Sequence, residues 1–293
     1  MHETLVDVET LKHHLADARW RVFDVRHDLL DVTAGPRAYA AGHIPGAQFA
    51  HIDDDLSGIK TGRNGRHPLP DRAALAERFR HWGVSDDTQI VAYDAQGGQF
   101  AVRLWWLARW LGHRAVALLD GGWPIWLANG GATETAAPMA PPRGAFRVRP
   151  SLVAVVDAND VAASLGTSAR LLLDARLPER FRGEVEPIDP VAGHIPGARN
   201  RAWQNNLNPD LTFKSATALR SEFESLIGAR DATTVTHQCG SGVTASHNVF
   251  AMELAGLPGA PLYAGSWSEW IVDPAPVVHQ PAPAPVTPPI STP

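Results

Sequence analysis

The chain has 293 residues, of which 44% are apolar and 19% charged, and its formal net charge at pH 7 is −5. This length and composition are typical of a globular protein with two domains of ordinary size, each with its own core. The mild charge without a basic run argues against nucleic-acid binding, and no apolar run approaches the ~20 residues that a membrane helix needs.

The N-terminus and the cysteine content bear on the compartment. Residues 1–5 contain neither the basic nor the apolar region of a secretory signal. The single cysteine excludes an internal disulfide, so nothing indicates an oxidising compartment. The sequence therefore predicts a cytoplasmic protein.

Helical and strand patterns alternate along the first half of the chain. Apolar residues at helical spacing occur at 4–18, 39–47, 73–82 and 100–111, and short apolar runs typical of strands occur at 21–26, 89–93 and 115–119. Residues 51–71 have the composition of a loop. Alternation at these lengths predicts parallel βαβ units and an α/β fold.

The second half of the chain repeats motifs of the first. The run Ala41–Ala47 recurs letter for letter as Ala192–Ala198, Asp24-Val25-Arg26 returns as Asp174-Ala175-Arg176, and Gly121-Gly122-Trp123 returns as Gly265-Ser266-Trp267. An Ala- and Pro-rich stretch separates the copies. We therefore expect an N-terminal domain at 1–132, a linker at 133–150, a C-terminal domain at 151–273, and a solvated Pro-rich tail at 274–293.

The only cysteine, Cys239, lies between a strand-like run at 233–236 and a helical run at 244–255. Gly240 and Gly242 follow it, so the loop can turn sharply and point backbone N–H groups inward. These groups and the helix N-terminus favour a thiolate over a thiol. A buried structural cysteine is the alternative, but the flanking glycines fit an anion site better than a packed core.

Comparison of the two copies indicates one catalytic domain. When the copies are aligned without gaps so that Trp267 falls on Trp123, Cys239 falls on Ala95. The first copy keeps loop glycines but has no nucleophile. We expect the N-terminal domain to close over the site of the C-terminal one.

Taken together, the duplicated motifs and the cysteine loop resemble the tandem-domain rhodanese family of sulfurtransferases, over roughly residues 4–273. The resemblance implies two similar α/β domains, each a parallel sheet with helices on both faces. It also implies an active site between the domains, with the sulfur carrier in the second. Neither a metal nor an organic cofactor is expected.

Within this family, the loop after the cysteine separates the donor groups. Cys239–Ala245 matches the Cys-Gly-Ser-Gly-Val-Thr-Ala run of the 3-mercaptopyruvate group, whereas thiosulfate enzymes usually carry Arg and Lys there. The resemblance implies sulfur transfer from 3-mercaptopyruvate, through a Cys239 persulfide, to a thiol, cyanide or a thioredoxin-like protein. Substrate and persulfide would contact the loop at Gly240, Gly242, Val243 and Thr244.

Three other functions remain as alternatives. Thiosulfate could be the donor, or the chain could bind sulfane sulfur or an anion without catalysis. A cysteine phosphatase needs Cys-x5-Arg, and the residue at that position is Ala245, so the phosphate-gripping arginine is missing.

The same resemblance nominates the residues that move protons. In the mercaptopyruvate group, the loop serine works with a histidine and an aspartate from the N-terminal domain. Here these are Ser241, His67 and Asp54, in a relay of the Ser-His-Asp type. Asp53 and Asp55 stay open as alternatives to Asp54, because the spacing to His67 is longer than in the family.

The donor carboxylate is expected to bind an arginine after the second Asp-x-Arg motif. Arg180 matches that position, and the planar fork of its guanidinium suits a carboxylate. Arg176 is expected to make structural bonds within its domain. The family's second clamping arginine follows a Pro-Glu-Pro run, but residues 186–189 (Glu-Pro-Ile-Asp) offer none, which leaves Arg182 as a possible substitute.

Overall fold

The computed structural model describes residues 1–272. The tail predicted at 274–293 lies outside the described residues. The elements of the first half are β1 (Leu5–Val6), α1 (Val8–His14), β2 (Trp20–Asp24), α2 (Ala34–Ala41), β3 (Gln48–Phe49), α3 (Arg72–His81), β4 (Gln89–Tyr93), α4 (Ala101–Trp110), β5 (Val116–Leu119) and α5 (Gly122–Ala128). Those of the second half are β6 (Val155–Val156), α6 (Ala158–Ser164), β7 (Leu171–Asp174), α7 (Pro178–Arg182), β8 (Arg199–Asn200), α8 (Ala216–Ile227), β9 (Val235–Gln238), α9 (Ala245–Leu254), β10 (Leu262–Tyr263) and α10 (Ser266–Trp270).

The strands form two separate five-stranded sheets, and every pairing within them is parallel. The strand order is β1-β5-β4-β2-β3 in the first sheet and β6-β10-β9-β7-β8 in the second. Strand positions in the two orders correspond one to one. The predicted α/β class, with two similar parallel sheets flanked by helices, is confirmed.

The single helix predicted over residues 4–18 is wrong in its first part. Leu5 and Val6 form an edge strand that pairs with β5, and the helix begins only at Val8. Asp7 separates the two elements, because its side chain accepts a hydrogen bond from the N–H of Thr10 and caps the helix. Pairing with a distant strand outweighs the local helical spacing there.

The repeated motifs form the same packing unit in both domains. Arg26 binds the Asp24 carboxylate and the carbonyl of Gly42, and its guanidinium lies 4.6 Å from the ring centre of Trp123. In the second domain, the equivalent arginine binds Asp174 and the carbonyl of Gly193, and it lies 5.1 Å from the ring of Trp267. The structural role predicted for Arg176 is therefore confirmed.

The two domains share a continuous apolar core at their seam. Helices α4 and α9 pack against each other there, and Trp105 meets Phe250 edge to face at 4.9 Å. Nearly every residue of α4 is buried, which explains why its sequence is apolar on all sides. This packing brings the carboxyl end of β9, and with it Cys239, against the N-terminal domain.

Candidate active site

Cys239 lies in the loop between β9 and α9. Its side chain is buried, and its Sγ accepts a hydrogen bond from the backbone N–H of Gly242 at 3.1 Å. The carbonyls of Cys239 and Gly240 accept hydrogen bonds from the N–H groups of Trp267 and Ser268 at the start of α10. These bonds fix the loop and direct its sulfur toward a backbone amide.

Gly242 is required by the shape of this loop. Its φ is +79°, and a Cβ at this position would lie 2.2 Å from the carbonyl oxygen of Ala264. Any other residue would meet both backbone strain and a clash with main chain that cannot move aside. The glycine therefore lets the amide of residue 242 reach the sulfur.

Four other backbone N–H groups of the loop point to no acceptor in the described part of the protein and are available to an anion. Among residues 1–272, the N–H groups of Gly240, Ser241, Val243 and Thr244 donate to no protein acceptor. Buried or half-buried N–H groups without partners are rare, because each one costs free energy when removed from water. Their concentration around one sulfur indicates a site for negative charge.

The first copy of the loop supports this interpretation. Asp94, which directly follows β4, accepts four backbone N–H bonds at 2.7–2.9 Å, from Gln96, Gly98, Phe100 and Ala101. The equivalent amides of the second copy are those of residues 240, 242, 244 and 245. An acidic side chain thus fills the amide site in the domain that lacks the cysteine.

Ser241 contacts the N-terminal domain directly. Its hydroxyl lies 2.7 Å from Nδ1 of His67, and Nε2 of His67 lies 3.5 Å from Oδ1 of Asp53. With Nε2 protonated toward the carboxylate, Nδ1 is the acceptor for the serine hydroxyl. Burial lowers the pKa of His67, although its contact with Asp53 acts in the opposite direction. The imidazole is therefore neutral at neutral pH and can accept a proton.

The structure places Asp53, not the predicted Asp54, beside His67. Its hydrogen bond with His67 lowers the pKa of Asp53, and Lys60 lies 2.6 Å away. The side chain of Asp54 is 83% exposed and faces His51, while Asp55 pairs with Arg78. The choice of Asp54 is corrected, because the turn that contains the three aspartates directs only the first toward the seam.

A buried arginine places a positive charge at the seam between the two domains. Arg103 of α4 donates to the carbonyl oxygens of Leu56, His67 and Pro68, which holds the loop that carries His67. Its Nη1 has no hydrogen-bond partner among the described residues. Burial lowers its pKa to about 10, so it is a cation at neutral pH, and it interacts electrostatically with Cys239. This charge attracts an anion bound beside the cysteine loop.

Arg180 lies close to the cysteine loop, at the position predicted for the donor clamp. A Cβ at Gly240 would lie 3.7 Å from its Nη2. Its guanidinium binds Glu186 at 2.6 Å and Asp189 at 3.3 Å. Arg182 instead points outward and pairs with exposed Glu184, so the structure removes the alternative clamp from the site.

A cleft of about 350 Å³ lies between the domains. Residues of both domains line it, including His27, Leu29 and Phe100 from the first and Arg176, Arg180, Ile188 and Thr244 from the second. Thr244, at the end of the cysteine loop, is one of the lining residues, whereas Cys239 itself is not. A small organic anion fits this volume and would lie near the guanidinium groups of Arg176 and Arg180.

One group of side chains has the composition of a metal site. His27, His51 and Asp53 each bring one potential ligand atom within 4.8 Å of the others. Both ring nitrogens of His51 already make hydrogen bonds. Its Nδ1 accepts from the backbone N–H groups of Asp53 and Asp54, and its Nε2 donates to the carbonyl of Val32. A metal would have to displace these hydrogen bonds, which argues against this group as a metal site.

Two further residues at the site, Arg103 and Arg66, lie outside the motifs but carry signals in the sequence. Arg103 interrupts the apolar helical run at 100–111, and a charge inside such a run is a sign of a buried functional cation. Arg66 immediately precedes His67, and its side chain also reaches the cysteine loop. Neither residue belongs to a repeated motif, which is why the internal comparison misses both.

Comparison with known proteins gives matches over both halves of the chain. The model of the rhodanese-like domain matches residues 7–129 and 157–273. A Pseudomonas aeruginosa protein named "Probable 3-mercaptopyruvate sulfurtransferase" is 47% identical over 272 residues, which span 92% of this chain and 95% of that protein.

Two further relatives resemble nearly the whole chain. SseB of Mycobacterium tuberculosis, named as a candidate thiosulfate sulfurtransferase, is 40% identical over 261 residues, 89% of this chain and 88% of that protein. The crystal structure of SseA from Escherichia coli is 30% identical and superposes with a TM-score of 0.76, covering 92% of this chain and all of that one. No helix among residues 1–272 is both long and apolar enough to cross a membrane.

Proposed function

Because the chain belongs to the rhodanese family, it is a sulfurtransferase, and we propose that it carries sulfur from 3-mercaptopyruvate on a Cys239 persulfide. The family, the fold and the enzyme class predicted from the sequence are confirmed. The donor, the acceptor and the role of each residue constitute the proposal.

In the first step, the Cys239 thiolate attacks the thiol sulfur of 3-mercaptopyruvate. A sulfur–sulfur bond forms and the carbon–sulfur bond breaks, so that its electron pair leaves on carbon as the enolate of pyruvate. The proton of the donor thiol ends on that carbon, which gives pyruvate. Cys239 retains the sulfur as a persulfide, and no outside oxidant or reductant is needed.

The residues around Cys239 have separate roles in this step. Arg180 binds the donor carboxylate. Ser241 and neutral His67, oriented by Asp53, take the proton of the donor thiol and return it to the departing carbon. The loop amides of residues 240–244 and the charge of Arg103 stabilise the anionic sulfur before and after transfer.

In the second step, an acceptor attacks the outer sulfur of the persulfide and releases the Cys239 thiolate. A thiol acceptor becomes a persulfide, and cyanide becomes thiocyanate. A small thiol and a reduced thioredoxin-like protein are the physiological acceptors that we propose. Each acceptor approaches through the cleft between the domains.

The hydrogen bond between Ser241 and His67 is the observation that favours 3-mercaptopyruvate over thiosulfate as the donor. A proton relay beside the nucleophile serves a donor that arrives as a thiol and leaves as a carbanion. Thiosulfate has no thiol proton to move. Thiosulfate is nevertheless the second candidate donor, because SseB, which is 40% identical to this chain, is named for thiosulfate. The arginines near the cleft suit that anion as well.

Turnover of the two donors, measured side by side with cyanide as acceptor, tests the proposal. We expect kcat/KM for 3-mercaptopyruvate to exceed that for thiosulfate. Ser241→Ala should lower turnover of 3-mercaptopyruvate by roughly a hundredfold, the usual contribution of general acid–base catalysis, and change thiosulfate turnover little. Ser225→Ala, an exposed serine on α8, is the matched control. Equal loss with both donors would exclude the proton-relay role.

A further inference from the structure

A buried carboxylate of the C-terminal domain lies between two arginines near the cysteine loop. Asp189 accepts hydrogen bonds from Arg66 through Oδ1 and from Arg180 through Oδ2. Its side chain is only 3% exposed. Burial raises the pKa of its carboxyl above the ordinary value, but each oxygen meets a guanidinium group, and these favour the charged form. The protein therefore keeps a fixed negative charge at this place.

The charge of Asp189 acts close to the position of the sulfur donor. A Cβ on Gly240, in the cysteine loop, would lie 2.8 Å from Nη2 of Arg66 and 3.7 Å from Nη2 of Arg180. Ile188, the neighbour of Asp189 in sequence, lines the cleft between the domains. Each arginine thus lies next to both the cysteine loop and Asp189. An anion bound beside the loop is therefore exposed to the charge of this carboxylate.

The neighbouring carboxylate, Glu186, has a different task. It also binds Arg180, at 2.6 Å, but its Oε1 accepts from the N–H groups of Ile188 and Asp189 and so fixes the turn of its own loop. The Asp189 side chain binds no backbone group in the described part of the chain, where Arg66 and Arg180 are its only hydrogen-bond partners. What it adds to the site is negative charge.

A fixed negative charge discriminates among anions by the charge that they carry. The Coulomb energy of two charges is proportional to their product, so a dianion is repelled twice as strongly as a monoanion at the same place. At neutral pH, 3-mercaptopyruvate carries one negative charge, on its carboxylate, whereas thiosulfate carries two. A carboxylate at position 189 therefore disfavours thiosulfate more than 3-mercaptopyruvate.

We infer that Asp189 is a donor-specificity residue, whose carboxylate offsets the charge of Arg66 and Arg180 and thereby disfavours doubly charged donors. This inference deepens the proposed function and rests on it, because it names a residue that selects the singly charged donor. The same carboxylate lowers the affinity for 3-mercaptopyruvate as well, by a smaller factor. Discrimination against thiosulfate is thus accompanied by weaker binding of the preferred donor.

Asp189→Asn tests this inference, because the amide keeps the shape of the side chain and removes its charge. At pH 8 and low ionic strength, we expect kcat/KM to rise roughly threefold for 3-mercaptopyruvate and roughly tenfold, about the square of that factor, for thiosulfate. The inhibition constants of pyruvate, with one charge, and of sulfate, with two, should fall by the same two factors. Both effects should shrink at high salt, where the charges are screened.

Two further variants separate the charge of Asp189 from its shape. Asp189→Glu keeps the charge, so the ratio of kcat/KM for the two donors should stay at the wild-type value even where both constants fall. Glu224→Gln, which removes an equal charge from the exposed side of α8, should change turnover of neither donor. Equal factors for the two donors in Asp189→Asn would overturn the inference, as would a loss of thiosulfate turnover.

The proposed function can fail separately from this inference. If the wild type forms no persulfide from 3-mercaptopyruvate, the proposed donor is wrong. Calorimetric binding of pyruvate and sulfate to Cys239→Ser, with and without Asp189→Asn, then judges the role of Asp189 without any turnover. A larger gain in affinity for sulfate than for pyruvate would support that role, and equal gains or none would exclude it.

Discussion

At the scale of single residues, the site depends on which of three consecutive aspartates faces the seam. Asp53 is 16% exposed and lies beside His67, whereas Asp54 is 83% exposed. The sequence places an aspartate in this loop but cannot choose among neighbours, because the choice depends on how the turn rotates each side chain. Ser241 and His67 could be named because each stands alone in a recognisable motif.

Asp53→Asn and Asp54→Asn form a matched pair that tests this assignment. Loss of the Asp53 charge should lower kcat/KM for 3-mercaptopyruvate by roughly tenfold or more, because His67 loses the group that orients its tautomer. Asp54→Asn should retain wild-type kinetics. The reverse ranking would return the relay to Asp54 and contradict the geometry.

The protonation of His67 sets the acid limit of donor loading. Since burial lowers its pKa below the ordinary value of 6.5, the imidazole stays neutral at neutral pH. We expect the rate of persulfide formation from 3-mercaptopyruvate to fall on the acid side only below pH 6.5. Stopped-flow loading across pH measures this, with His67→Gln to show which limb belongs to the histidine. An acid limb above 6.5 that disappears in His67→Gln would contradict the lowered pKa.

At the scale of elements, the strand–loop–helix unit is built twice and used in two ways. The first copy fills its amide site with Asp94, while the second leaves amides free around Cys239. The sequence predicted β9, the loop and α9 well, because strand, glycines and helix follow one another within a few residues. It missed β1, a two-residue strand whose only signal is its pairing with a distant strand.

Gly242→Ala and Gly197→Ala test how much the cysteine loop depends on close packing. Both glycines have φ near +78°, but a Cβ at Gly197 would meet nothing within 4 Å, whereas one at Gly242 would lie 2.2 Å from the Ala264 carbonyl. We expect Gly197→Ala to cost about 1 kcal/mol and Gly242→Ala clearly more in urea unfolding. Gly242→Ala should also lose most turnover. Equal costs would show that the loop can relax around a methyl group.

At the scale of the whole molecule, the proposed active site lies where the two domains meet. His67 binds Ser241 and His247 lies 2.9 Å from the carbonyl of Gly97, and both contacts join residues more than a hundred positions apart. The duplicated motifs predicted two similar units, which the two matches to the rhodanese-like domain confirm, and the lone cysteine is the reason for proposing the second as the sulfur carrier. Contacts across the seam could not be predicted, because no local pattern encodes pairing at such separations.

Buried neutral histidines make the stability of the molecule depend on pH. Burial lowers the pKa of His27 and His247 to about 4 and that of His237 to about 3. The unfolded chain binds more protons than the folded one below the ordinary value of 6.5, so stability is fully present above it and falls as pH drops toward 4. His247 alone should contribute roughly 3 kcal/mol of this loss.

Urea unfolding at a series of pH values measures this dependence. The free energy of unfolding should be nearly constant from pH 8 to 7 and decrease steadily below 6.5. His247→Gln, which cannot titrate, should show a shallower slope, even though it is less stable at neutral pH. A free energy that stays level between pH 6.5 and 5 would show that these histidines are not held neutral.

The mass of the protein after exposure to 3-mercaptopyruvate alone tests the central claim most directly. Without an acceptor, the wild type should gain the mass of one sulfur atom on the peptide that contains Cys239, release one pyruvate, and lose the added mass as thiocyanate when cyanide follows. Cys239→Ser should gain nothing. Release of pyruvate without any gain in mass, or a gain that persists in Cys239→Ser, would contradict the Cys239 persulfide.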